Sequence, residues 1–210
     1  MKNKGLVISA VVLFLLVNTS YYWEGQLGVL AFPADLLLVI AFLILAIALI
    51  RQFYFSIKER FKNKHRSIIM GLLTITLGLI LYRPGGLIDF DKLEGNDVLM
   101  AEREGAANCM TVFKLKDNFT FKERSVCFGV VEVKGRYSLK NDTIYFNNVK
   151  TGLYTDGFYM FAVITPSIYQ KDGKHFDITL FKNKGDSLGY TLPITKSELN
   201  RIKNAKLSRY

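Results

Sequence analysis

Cysteine is scarce in this chain: two in 210 residues, Cys109 and Cys127. Two distant cysteines with no histidine close by fall short of a metal-ligand set, so no metal site is expected. The usual signatures of catalysis are missing too. There is no Cys-x-x-Cys, no His-Glu-x-x-His, no phosphate-binding glycine loop and no Gly-x-Ser-x-Gly. Nothing in the pattern calls for a cofactor. Ionisable residues are absent from the cores of three long apolar runs, where a transport pathway or proton relay would place them. A transporter is therefore not the expected reading.

Those runs dominate the first eighty residues: Leu6 to Trp23, Leu36 to Ile50 and Ile68 to Tyr82. Crossing the hydrocarbon core takes ~20 apolar residues. The second and third runs reach that length with their flanks, Ala31–Phe32 and Phe53–Phe55 extending the second. The first is not a cleaved leader by its pattern. No small-x-small site follows it, and Tyr21, Tyr22 and Trp23 at its exit suit a membrane interface. The expectation is a three-helix transmembrane region over 1–83. Gly71 and Gly78 in the third run would permit close helix approach or simply face lipid.

The +10 net charge is unevenly spread. Arg51, Lys58, Arg60, Lys62, Lys64 and Arg66 crowd the stretch between the second and third runs, while 21–35 holds no lysine or arginine. The positive-inside rule then puts the amino terminus and the basic stretch in the cytoplasm and everything after Pro84 outside. These six residues are the expected topology determinants; anionic head groups are an additional partner for them. Between Pro84 and Ile194 fourteen basic residues balance fourteen acidic ones. A neutral domain lacks the basic face that nucleic acid requires.

Pro84-Gly85-Gly86 ends the third helix. We read 84–107 as a connector with room for a short helix, and 108–210 as an extracytoplasmic β-domain. From Phe113 the apolar residues alternate with period two: Phe113 and Leu115, Phe119 and Phe121, Val131 and Val133, Tyr137 and Leu139, Ile144 and Phe146. The apolar stretches 158–165, 178–180 and 188–192 continue the series. Asp117-Asn118, Asn141-Asp142, Asp172-Gly173 and Asn183-Lys184-Gly185-Asp186 supply turns. Short successive connections predict an antiparallel meander of seven or eight strands, as an up-and-down barrel or a curled sheet. Thr195-Lys196-Ser197-Glu198 fits a capping box, and Leu199, Ile202 and Ala205 share one face, predicting a short terminal helix.

A three-residue loop at Asp117–Phe119 places residue 116 opposite 120 and therefore Cys109 opposite Cys127. Facing positions are close enough for a disulfide, which an oxidising compartment would allow. Two buried thiols are the alternative. His175 and Asp177 share a strand face and suit acid–base chemistry on paper, but the position after a turn reads as a surface strand end. Asn118-Phe119-Thr120 and Asn141-Asp142-Thr143 match the glycosylation pattern at expected turns. Tyr154, Tyr159 and Tyr169 suit either a cavity lining or core.

Lys114-Leu115-Lys116-Asp117-Asn118-Phe119-Thr120-Phe121, then Gly135-Arg136-Tyr137-Ser138-Leu139 and Asp142-Thr143-Ile144-Tyr145-Phe146, resemble the small lipocalin-like β-domains of bacterial envelope proteins. The resemblance covers about 109–150. It implies a barrel-like fold and no activity or site residue; with the topology from loop charge, the expectation is a bacterial inner-membrane protein with a periplasmic domain.

Three functions compete. The first is a non-enzymatic membrane protein presenting its β-domain to an envelope or protein partner. The second is a binder of a small apolar ligand inside the barrel, which fails if Phe113, Phe121, Tyr137 and Phe146 fill the interior. The third is an enzyme with an unrecognised site gathered around His175 and Asp177.

Overall fold

The structure, a computed structural model, describes residues 4–140, 143–152, 157–167 and 175–198. It divides into two compact units: Met1–Trp23 with Leu30–Asp89, and Glu24–Val29 with Phe90–Tyr210.

The helical unit follows the apolar runs. Helix α1 covers Lys4–Asn18, α2 Ser20–Leu27, α3 Ala31–Lys58 and α4 Lys64–Tyr82. Helices α3 and α4 are long and apolar enough to cross a membrane. The first run differs from the single span expected: it bends by 70° between α1 and α2. The cause is local. Asn18 Nδ2 donates to the Phe14 carbonyl at 2.8 Å and Thr19 Oγ1 to the Leu15 carbonyl at 2.8 Å, side-chain bonds that bend a helix.

A narrow seam of Ala10, Leu13 and Val17 from α1, Leu45 from α3, and Ile69, Leu73 and Leu77 from α4 holds this unit together. The other faces are apolar and exposed; Leu37, Ile44, Ile47, Ile50, Ile75 and Leu81 all point outward. An added Cβ at Gly71 or Gly78 would meet nothing, so neither glycine serves a close approach within the chain.

The six cations between the second and third apolar runs lie mostly on helices rather than in a long loop. Arg51 and Lys58 belong to α3, Lys64 and Arg66 to α4, and Arg60 and Lys62 to the short connection. Asn63 caps α4, its Oδ1 accepting from the Arg66 amide at 3.3 Å. Arg66 pairs with Glu59 at 2.9 Å and lies over the Phe55 ring.

In the second unit the short helix α5 (Phe90–Leu93) precedes eight antiparallel strands: β1 Asp97–Glu104, β2 Met110–Lys116, β3 Thr120–Val126, β4 Val130–Lys140, β5 Thr143–Thr151, β6 Phe161–Pro166, β7 Phe176–Phe181 and β8 Tyr190–Ser197. Each pairs with the next, and β8 pairs with β1, closing an up-and-down barrel. Closure leaves no unpaired edge for another chain to extend. The inward positions form one core: Leu99 and Ala101 on β1, Phe113 and Leu115 on β2, Phe121 on β3, Val133 and Tyr137 on β4, Ile144 and Phe146 on β5, Ala162 on β6, Ile178 and Leu180 on β7, and Leu192 on β8.

Strand β1 lies inside 84–107, the stretch read as a connector. Its outward residues Glu102 and Glu104 and the nearby glycine and alanines masked the alternation of Leu99, Ala101 and Arg103. The capping box at 195–198 does not start a helix at Thr195. Residues 195–197 extend β8, with Thr195 Oγ1 donating to the Met100 carbonyl at 3.3 Å and the Glu198 amide to the Val98 carbonyl at 2.6 Å. The expected turns at Asn141-Asp142 and Asp172-Gly173, Tyr154, Tyr169, and the helical face of Leu199, Ile202 and Ala205 lie outside the described residues.

Candidate functional site

The first hairpin forms in the expected register. Leu115 faces Phe121 and Met110 faces Val126. The three-residue loop closes with the Phe119 amide donating to the Lys116 carbonyl at 3.2 Å, and Phe119 takes the left-handed conformation of a bulged turn, φ 62°. One step beyond Met110 and Val126, Cys109 and Cys127 are bonded, their Cα atoms 4.3 Å apart. The disulfide joins β2 and β3 at their far ends. Asn118 is occupied at the turn: its Oδ1 accepts from the Thr120 amide at 3.1 Å and from Thr120 Oγ1 at 2.6 Å, while Nδ2 donates to the Glu94 carbonyl at 2.5 Å.

The same register sets a row of lysines across the outer wall. Lys114 faces Lys122, and Lys122 faces Lys134. Like charges directly opposed would repel. Lys116 and Arg124 flank the row, and acidic residues from elsewhere in the unit cover it. Asp91 of α5 approaches Lys114 at 2.5 Å, Lys122 at 3.4 Å and Lys116 at 3.5 Å. Asp97 takes Lys114 and Lys116, each at 3.2 Å. Glu132 takes Lys122 and Lys134, each at 2.9 Å, and Glu94 takes Lys134 at 3.2 Å. Glu24 of α2 takes Arg124 at 2.9 Å.

Lys116 and Lys122 are only 1% and 6% exposed, although they point away from the core, because α5 and 94–96 lie over them. The Lys116 ammonium also donates to the carbonyls of Asp91 at 2.6 Å and Gly95 at 3.2 Å. Burial alone would raise the Asp91 carboxyl; the Lys114 hydrogen bond and the charges of Lys122, Lys114 and Lys116 prevail and hold it at about 2. Burial likewise works against the Lys114 ammonium, but Asp91 and Asp97 raise it above the ordinary lysine value. The wall is thus an ionic clamp holding the chain's approach to β1.

A second attachment lies at the end of the barrel marked by the disulfide. Gly28 forms a β-bridge with Val130, the Val130 amide donating to the Gly28 carbonyl at 3.2 Å. Gly129 makes this approach possible: a Cβ there would collide with the Gly28 carbonyl and lie 2.7 Å from Val29 Cα. The Glu24–Val29 segment is in this way part of the barrel unit.

Inside the barrel, Phe113, Phe121, Tyr137 and Phe146 are all buried in the single core. Phe121 lies 4.8 Å from Phe146 between ring centroids, and Phe158 stacks on Phe121 at 5.0 Å. Tyr137 Oη donates to the Lys116 carbonyl at 2.9 Å, and burial raises its hydroxyl. Toward the disulfide end the interior turns polar. Thr111 and Ser125 hydroxyls meet at 3.3 Å, and Glu123 lies between Ser125 and Phe121 on the inward face. Glu123 Oε2 is buried without a hydrogen bond, and burial lifts the carboxyl to about 7. Tyr159, stacked with Tyr190 at 6.2 Å, has its hydroxyl pushed to about 12 by burial and by the charges of Glu123, Tyr190 and Asp186. Arg103 covers the Tyr190 ring at 5.1 Å.

His175 is exposed, just before β7; Asp177 is buried, its Oδ2 accepting from Ser167 Oγ at 3.1 Å. Among the described residues no group of three or more histidine, cysteine, aspartate or glutamate side chains is placed to hold a metal. Comparison with protein-family models, curated proteins and solved structures finds no match.

Proposed function

We propose that this chain is a non-enzymatic, multi-pass membrane protein whose helices anchor a lipocalin-like barrel outside the cytoplasmic membrane, for presentation to an envelope or protein partner. One observation carries the topology. The Glu24–Val29 segment, which precedes α3, pairs with the barrel that follows α4. Two segments on one side of a bilayer are separated by an even number of crossings. With α3 and α4 as those crossings, their six shared cations fall on the opposite, cytoplasmic side, as the positive-inside rule requires. The Cys109–Cys127 bond agrees with an oxidising exterior.

Helix α1 supplies the third crossing and keeps the amino terminus inside. Its 15 residues reach about 22 Å, short of the ~30 Å hydrocarbon core, a mismatch that local thinning accommodates. The bend at Thr19 then turns Tyr21, Tyr22 and Trp23 along the outer interface, where such side chains prefer to lie. The apolar exterior of α3 and α4, unsuited to water, is the lipid-facing surface. Within the barrel, the packed rings of Phe113, Phe121, Tyr137 and Phe146 favour presentation over the enclosure of a small apolar ligand. An exposed His175 and a buried Asp177 favour it over hydrolysis.

A reporter fused after Tyr210, combined with maleimide labelling, tests this reading. The reporter should read as extracytoplasmic, and Cys109 and Cys127 should label only after reduction. A cytoplasmic reporter with freely labelled thiols overturns it. Recovery of a specific companion in mild detergent supports presentation, and persistent recovery of a lone monomer counts against it.

A further inference from the structure

We propose that the disulfide end of the barrel rests in the outer lipid interface, with Phe128 and Leu188 inserted among the head groups. This rests on the membrane reading above and goes beyond it, since a tethered barrel need not touch lipid.

Parity makes the end a single surface. In an up-and-down barrel the odd-to-even connections gather at one rim and the even-to-odd connections at the other. Among the described residues the first rim holds 105–109, 127–129, 152, 157–160 and 182–189; the second holds 117–119 and the approach to β1. Exposed large apolar side chains are divided unequally between them. Phe128 at the tip of the β3–β4 turn is 76% exposed, and Leu188 in the β7–β8 connection 89%. Met110, Val126 and Met160 lie exposed beside these connections. The second rim, among the described residues, shows Phe119 at 38% and Phe176 at 45%, with Leu93 on the approach to β1 at 74%. Phenylalanine and leucine at the tips of turns gain nothing from water and suit the boundary between head groups and acyl chains.

The chain itself indicates the occupant. Gly28 and Val29 are held against Gly129 and Val130 at this rim, and Ala31, two residues beyond Val29, begins α3. Two residues reach at most ~7 Å. The head-group region of each leaflet is of comparable depth, roughly 5–8 Å. Helix α3 has 28 residues, about 42 Å, enough to cross core and head groups together. A rim tied so close to the first residue of α3 lies within reach of lipid.

Trp23 is the chain's one tryptophan, so Trp23→Phe provides a silent background for the intact protein. Phe128→Trp, Leu188→Trp, Phe176→Trp and Phe42→Trp would each be placed in it and reconstituted in phospholipid vesicles brominated high on the acyl chains, with circular dichroism confirming the fold. Phe42→Trp, in the middle of α3, reports on the span itself. The expected result is loss of most fluorescence, with a blue shift, for tryptophan at 128, 188 and 42, and none at 176. Quenching at 42 without quenching at 128 or 188 overturns the rim contact and leaves the membrane reading standing. Blue-shifted but bromine-insensitive emission at 128 assigns the rim to a protein partner and overturns lipid contact. No quenching at 42 removes the membrane reading, and the rim contact with it.

Discussion

Glu123 shows most clearly what a single inward side chain costs this barrel. Its Oε2 is buried without a hydrogen-bond partner, and burial lifts the carboxyl to about 7 from the ordinary glutamate value of 4.5. The folded state therefore holds the proton more tightly than the unfolded chain. Stability is greatest below about pH 4.5 and falls as pH rises through the window to about 7, after which the deficit is constant. The full deficit is on the order of 3 kcal/mol. Glu123→Gln should flatten the denaturation profile across that window and raise the melting temperature at pH 8; an unchanged profile would mean Glu123 is solvated when folded. Its inward position was legible, because Phe121 and Glu123 are two apart on one strand. Its burial was not, since that depends on Tyr159 and Tyr190, which arrive from distant parts of the chain. The cysteine pair was legible for the opposite reason: one hairpin loop and one register are local properties, and counting outward from Asp117–Phe119 is enough. His175 and Asp177 show how far such counting carries. Spacing puts two residues on one face, but only neighbouring strands determine which of them water reaches.

At the scale of elements, the ionic clamp is the feature that alternation could least disclose. Lys114, Lys122 and Lys134 look in sequence like the solvated face of a sheet, and register alone would have aligned them into a repulsive row. What neutralises them includes Asp91 of a four-residue helix, Phe90–Leu93, too short to show periodicity, together with Glu94, Asp97 and Glu132. Asp91→Asn should leave Lys116 and Lys122 undercompensated beneath it. The expected loss is roughly 1–3 kcal/mol, between that of an exposed pair and that of a fully buried one. Chemical denaturation of the reconstituted or detergent-held protein would measure it, and hydrogen exchange should quicken at 90–96 before elsewhere. Equal protection of that segment in both proteins would show that the clamp does not hold it. The bend at Thr19 also escaped the apolar pattern, because hydropathy counts Asn18 and Thr19 as mild interruptions and takes no account of their hydrogen bonds to carbonyls one turn back. By contrast, α3 and α4 were plain in the sequence: runs of apolar residues that long have few other solutions.

For the whole molecule, the proposed orientation rests on six cations and one pairing. Exchanging Lys58, Arg60, Lys62 and Lys64 for glutamine while placing lysines in 24–27 should invert the chain, so that a carboxy-terminal reporter reads cytoplasmic and both thiols label without reductant. Retention of the exterior reading would mean that folding of the barrel, and not loop charge, decides the topology. The up-and-down order was legible from turn spacing, whereas closure was not, because nothing local says that the first strand will meet the last. That meeting is slight. Strand β8 faces β1 at three positions, with a bulge between Met100 and Ala101, while β3 faces β4 at seven. A pull on the carboxy-terminal end, opposed by a fixed bilayer, would accordingly unzip this seam first. The barrel would yield as a sheet peeled from one edge, with the stapled β2–β3 hairpin among the last parts to give.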